Sequence, residues 1–163
     1  MGFFRSRSDV LATKLKARTR QLETMTRMSK LRDQCTNTQD FINKAAEFMA
    51  NELVSRFVAI VLKQDEKSTI VASTIPEVAE ANNQLILDLV QGSINARKDL
   101  VINNTRGHLR LRAARVACVA VKPLWFKDQY IGAIIVFRFK RLVFAQRSIH
   151  TLTTLAEQFP PAL

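Results

Sequence analysis

The sequence predicts an α+β domain: an antiparallel sheet of five to six strands with flanking helices, preceded by one long N-terminal helix. Three observations predict it. In "RVACVAVKPLWFKDQYIGAIIVFRFK", residues Arg115 to Lys140, two apolar runs flank Lys127-Asp128 and read as a hairpin at the centre of a sheet. Upstream, "RFVAIVLKQ" and "STIVASTI" are β-branched runs joined by the charged turn "DEK" and read as a second antiparallel pair. From Ser8 to Gln34 the chain has neither Gly nor Pro and is built mostly of good helix formers. At 163 residues and 47% apolar content, the chain suits one domain plus an extension.

The first helix carries Leu11, Leu15, Leu22, Met25, Met28 and Leu31 as a thin apolar stripe. Arg18 falls where a strict coiled-coil seam wants an apolar residue, so partner helices would have to complete any pairing. "CTNTQDF" then breaks the pattern. Thr36 and Gln39 have the spacing of a capping box, which places the start of the domain here: residues 1–35 form a basic helical arm, and 36–163 the domain. Phe41, Ile42, Ala45, Phe48, Met49 and Leu53 give the second helix a broad apolar face that ends near Val54. After the first hairpin, Pro76 opens "PEVAEANNQLILDLVQGSINARK", read as one amphipathic helix across a sheet face that tolerates Gly92 late in its length. "DLVINN" is a short strand, "TRGHLRLRAAR" a basic connector, and the central hairpin follows. The last helix, "AQRSIHTLTTLAEQF", stops at Pro160-Pro161. This order predicts a sheet with helices packed on one side.

These residues resemble a known module. "DLVINNT", "VACVAVKPLWFKDQYIGAIIVFRF" and "FAQRSIHTLTTLAEQFPPAL" follow one another as the closing half of a GAF domain does, with Pro123-Leu124, Ile131-Gly132 and Phe144 through Leu155 in the family's marked places. The helix from Thr38 and the hairpin through Ile75 fill the opening half, so the resemblance covers residues 36 to 159. It implies a GAF-like fold and a pocket between the sheet and the segments after the middle helix, of the kind that takes cyclic nucleotides, tetrapyrroles or other small molecules. Gly132 is expected to let neighbouring strands approach closely, and Pro123 to sit at a strand end where its missing amide costs least.

The chemistry the family offers is thinly represented. The connector from Asn103 to Arg115 is short, which favours a small or vestigial pocket; Asn103, Asn104, Arg106, His108 and Arg110 are the residues available to an anionic or nucleotide-like ligand at its mouth. A covalent bilin would want a cysteine after the middle helix, whereas Cys35 lies at a helix junction and Cys118 inside a strand. The "N-K-x-D-E" motif of phosphodiesterase-linked members is absent, and two distant cysteines do not supply an attacking and a resolving thiol. His108 and His150 are the only histidines and have no metal-ligand spacing. With no Gly-rich phosphate loop and no G-x-S-x-G, the expectation is a protein that is not an enzyme and carries no metal or cofactor.

Charge and exposed aromatics point to contact instead. The net charge of +11 is uneven: through Arg32 nine bases face only Asp9 and Glu23, giving +7, and the remainder carries +4. Phe3, Phe4, Arg5, Arg7, Lys14, Lys16, Arg18 and Arg20 make the arm an interaction surface for an anionic membrane, an acidic protein face or a polyanion. Met1-Gly2-Phe3-Phe4-Arg5-Ser6 also matches the N-myristoylation pattern. Against nucleic acid, the arm has no interleaved aromatics for base stacking and the domain has no helix-turn-helix signature. Trp125 and Phe126, at the hairpin tip, either dock a partner or fold back on their own domain. No apolar run spans a bilayer, no secretory signal opens the chain, and two lone cysteines suit a reducing compartment, so a cytoplasmic protein is expected, with a place peripheral to a membrane as the alternative. The leading functional expectation is a non-catalytic regulatory or adaptor module. It would be homodimeric through the N-terminal helix, hold a partner protein and serve as a subunit of a larger assembly. A small-molecule sensor and a membrane- or nucleic-acid-associated accessory protein are the alternatives.

Overall fold

The computed structural model describes residues 7–159. In chain order the elements are α1 (Arg7–Gln34), α2 (Thr38–Glu52), β1 (Phe57–Gln64), β2 (Lys67–Ser73), α3 (Pro76–Ala81), α4 (Asn83–Ala96), β3 (Leu100–Ile102), α5 (Leu109–Ala113), β4 (Cys118–Phe126), β5 (Gln129–Arg138) and α6 (Gln146–Gln158). The five strands form one sheet in the order β2-β1-β5-β4-β3, every pair antiparallel. The hairpin that opened the sequence reading therefore supplies the central strand, β5.

Both residue parities of the central strands are apolar, so both faces of the sheet need cover. Ala133, Ile135 and Phe137 of β5, with Phe57, Ala59 and Val61 of β1, pack beneath α3, α4 and α5. Ile134 and Val136, with Val58 and Ile60, pack beneath α2, α6 and the second half of α1. Helices thus cover both sides, correcting the expectation of one.

Other boundaries shift for local reasons. The single helix expected from Pro76 is broken at Asn82, whose backbone N–H and side-chain amide both donate to the Val78 carbonyl, at 3.0 and 2.9 Å, and close the first segment on itself. The N-cap of α2 is Asn37, whose side chain accepts from the Asp40 amide at 2.8 Å, rather than Thr36; Gln39 instead reaches across to the Val71 carbonyl. The basic connector contains α5, anchored by buried Leu111.

α1 is two things along its length. Residues 7–20 are all exposed, whereas Thr24 and Met28 are buried and Leu31 packs against the core beneath α2 and α6. An ion pair from Arg27 to Glu52, 3.0 Å, fixes the crossing. The exposed half still runs beside α6, with Thr13, Ala17 and Arg20 on one side of a groove and Arg147 and His150 on the other.

Gly132 behaves as its sequence context predicts. It pairs with Leu62 on one side and Leu124 on the other, and a Cβ there would meet the Val61 carbonyl oxygen at 2.3 Å. By contrast, no described glycine has a positive φ, while seven other residues do: Val54, Asp65, Glu66, Arg97, Arg115, Lys127 and Asp128. Both hairpin turns and three helix ends are thus made with side-chain-bearing residues in the left-handed region, a conformation costing roughly 1–2 kcal/mol per residue.

Candidate functional site

Three surfaces arise from the sequence reading: the connector after β3, the tip of the β4–β5 hairpin and the arm. The five connector residues diverge. Asn103 is part of the scaffold, since its side chain accepts from the Phe144 amide at 2.8 Å and donates to the Phe144 carbonyl at 3.4 Å, tying the end of β3 to the segment before α6. Asn104 accepts from the Arg106 amide at 3.0 Å in a local turn. Arg106 and His108 lie on the surface, and the His108 side chain does not cap α5. Arg110 donates to Asp88 at 2.7 Å and staples α5 to α4. Together with Gln84, which donates to the other oxygen at 2.7 Å, it holds the Asp88 carboxyl below its ordinary range. Of the five, only Arg110 lines the groove of about 290 Å³ between α4 and α5.

Beneath that groove, the space between sheet and helices is occupied by side chains. Phe57 and Phe137 stack with ring centroids 5.0 Å apart, and Ile86, Val90, Leu111 and Ile135 close around them, all buried.

At the tip, Lys127 and Asp128 turn the chain with φ of 51° and 63°. Trp125 and Phe126 are 38% and 45% exposed. Trp125 meets Tyr130 edge-on at 6.0 Å, Lys127 Nζ stands 5.4 Å over the Phe126 ring, and a cleft of about 300 Å³ separates the pair from Ala156 and Glu157 of α6. The aromatics both lean on their own strand and show a face to solvent.

On the arm, Arg7, Lys14, Lys16, Arg18 and Arg20 are exposed along α1. Phe3, Phe4, Arg5 and the Gly2 motif lie outside the described residues. Leu11, Leu15 and Leu22 are 59%, 66% and 46% exposed, on a face roughly 150° around the helix from the one that buries Thr24, Met28 and Leu31.

Two features were not singled out in the sequence. Arg138 is buried, donating through Nε to Ser55 Oγ at 3.1 Å, through Nη1 to the Leu142 and Val143 carbonyls at 3.1 and 2.9 Å, and through Nη2 to the Leu53 carbonyl. Its guanidinium lies 4.1 Å over the Phe144 ring, and burial lowers its pKa. It clasps the end of α2 to the segment leading into α6. The signal was available: Arg138 is in phase with Ile134 and Val136, the core-facing set of its strand. The second feature is a groove of about 530 Å³ between α1 and α6, lined from one side by Arg20 and Thr24 and from the other by Arg147 and His150. Its α6 residues stand three and four apart, a polar stripe beside the Leu152 and Leu155 face.

Burial raises the pKa of both thiols, Cys118 inside β4 and Cys35 at the α1–α2 junction, the latter with a further push from Asp40. Among the described residues no three His, Cys, Asp or Glu side chains gather as a metal site, and no helix is long and apolar enough to cross a membrane.

The strand order, the hairpin at its centre and the helices on both faces decide the architecture. The fold is that of a GAF domain. A GAF domain from an Acinetobacter phosphoenolpyruvate-protein phosphotransferase superposes with a TM-score of 0.70 at 17% identity, covering 87% of this chain and 91% of that one. The phycoerythrobilin-bound GAF domain of a cyanobacterial phytochrome gives 0.64 at 12% identity, covering 87% and 93%. A segment of a methyl-accepting chemotaxis protein gives 0.62 at 15% identity, covering 85% and 93%. No family model matches the sequence, and no curated protein matches it.

Proposed function

We propose that this GAF-fold protein is a non-catalytic regulatory module that works by contact, pairing with a second copy through α1 and holding a partner protein within a larger assembly. The observation that carries the reading is the outer face of α1, where Leu11, Leu15 and Leu22 stand exposed at coiled-coil spacing and belong to neither apolar cluster of the described residues. The filled space under α4 and α5 supports contact over an interior ligand, and the raised thiol pKa values leave neither cysteine activated as a nucleophile. The fold's appearance in a chemotaxis protein and a phytochrome supports a role in signalling.

Pairing two such helices brings like charges together, with Arg18 on the seam. Association should therefore tighten as salt is raised, since screening removes repulsion faster than it weakens apolar contact. Sedimentation velocity on the full chain tests this against a variant with Leu11, Leu15 and Leu22 all changed to Ser. The wild type should sediment as a dimer at micromolar concentration and the variant as a monomer of unchanged thermal stability. A variant that remains dimeric removes α1 as the interface, and a wild type that stays monomeric in high salt removes self-association altogether.

A further inference from the structure

The groove between α1 and α6 faces away from the three leucines, so what it does is independent of any pairing through them. Arg20 comes from one wall and Arg147 from the other; neither forms an ion pair among the described residues, and His150 adds a third basic group. Among the described residues no aspartate or glutamate lines the groove. Arg147 lies in the first turn of α6, which Ala145 leaves without a side-chain cap, so the partial positive charge of that helix end adds to the same field.

Thr24 adds a hydroxyl to the wall between the two arginines. It is only 5% exposed, and it lines the groove. Thr13, Thr26, Thr151, Thr153 and Thr154 each satisfy their hydroxyls on the carbonyl four residues back. Thr24 makes no such bond, nor any other side-chain bond among the described residues. Among the described residues no buried side-chain oxygen or nitrogen lacks a partner, so the Thr24 hydroxyl is open to the groove and free to donate to a group bound there. Ala17 and the threonine methyls make most of the remaining surface apolar, and the volume of about 530 Å³ lies within the range of small-molecule sites.

We infer that this groove binds an organic phosphate, its phosphoryl oxygens held between Arg20 and Arg147 with the Thr24 hydroxyl as a further donor, and its apolar body laid along the α1–α6 seam. Two arginines from opposite walls suit a dianion with three acceptor oxygens better than a single carboxylate. Because α1 forms one wall and α6 the other, an occupied groove ties the arm to the domain. The same head group is offered by a free phosphomonoester and by phosphatidate in a membrane.

The test is titration of the full-length, ¹⁵N-labelled chain with phenyl phosphate, and separately with inorganic phosphate and phenol, following the amides of Thr24, Arg147, His150 and Thr151. Phenyl phosphate should bind saturably at one site and more tightly than either fragment. Arg147→Gln, an exposed change, should weaken it about tenfold, the cost of one charge-assisted hydrogen bond. Thr24→Val should weaken it severalfold while leaving the melting temperature of the unliganded protein unchanged, because its hydroxyl has no partner to lose. Cosedimentation with phosphatidylcholine vesicles with and without phosphatidate separates the sources. Binding that needs phosphatidate, is lost in Arg147→Gln and is displaced by phenyl phosphate assigns the lipid; soluble binding without vesicle binding assigns the free ester. The proposal fails if phenyl phosphate shifts nothing saturably, if it binds Arg147→Gln as well as wild type, or if vesicle binding is indifferent to both the variant and the competitor.

Discussion

Phe137 and Arg138 are neighbours on the central strand and point to opposite sides of the sheet, into two interiors of different character. Phe137 enters an apolar cluster with Phe57, Ile86 and Leu111, all fully buried. Arg138 enters the side built by α2, α6 and α1, where it satisfies the carbonyls of Leu53, Leu142 and Val143 and where a groove edged by arginines opens between α1 and α6. On this fold the α4–α5 side is the one that the family resemblance marks for ligands. Here the interior of that side is filled by apolar side chains, and its polar groups, Gln84, Asp88 and Arg110, lie at the surface.

Breaking the clasp should cost most. Arg138→Met leaves three carbonyls without their donor and should lose about 4 kcal/mol, read from urea unfolding, at about 1–3 kcal/mol for each buried acceptor left unmade. Phe137→Ala should lose about as much, 3–5 kcal/mol, through its cavity, but with a different signature: the dry void should take up a small apolar probe such as benzene or xenon. If Arg138→Met bound the probe and Phe137→Ala did not, the contrast between the two sides would be reversed. Val54 sharpens the comparison in the other direction. It terminates α2 next to the clasp at φ 50° and is 72% exposed, with the Ser55 amide on the Ala50 carbonyl at 2.9 Å. This is a helix end that favours glycine, and Val54→Gly should stabilise by about 1 kcal/mol. The smallest effect belongs to the staple between α4 and α5. Asp88 has a lowered pKa, so its contribution is present above the ordinary carboxyl value of 3.8 and disappears as the pH falls through the lowered one. Asp88→Asn should melt slightly below wild type at neutral pH, and the gap should close in acid.

Periodicity carried most of the fold. Strands, central hairpin and the long first helix were legible because apolar spacing changes from alternate residues to threes and fours at each boundary, and Gly132 because a glycine in a β-branched run marks close backbone approach. The break at Asn82 was not legible, since a side chain competing for a helix carbonyl leaves the amphipathic pattern on both sides undisturbed. Nor was the cover of both faces foreseen, although β1 and β5 are apolar at consecutive positions. Of the residues placed at a pocket mouth, Asn103 turned inward to the backbone and Arg110 toward Asp88, choices made by tertiary neighbours distant in sequence. The α1–α6 groove was invisible for the same reason: Thr24 and Arg147 are 123 positions apart, and only the crossing of the helices brings them to one place.

That crossing also bears on the protein's lifetime. A helix as poor in alanine as α1 is marginal alone, so its exposed half is helical because Thr24, Met28 and Leu31 are docked. Whatever recognises the arm as a helix therefore recognises only the folded chain, and by mass action it protects the whole domain from unfolding. Under the proposed pairing, an unpaired copy would spend more time open to proteases than a paired one.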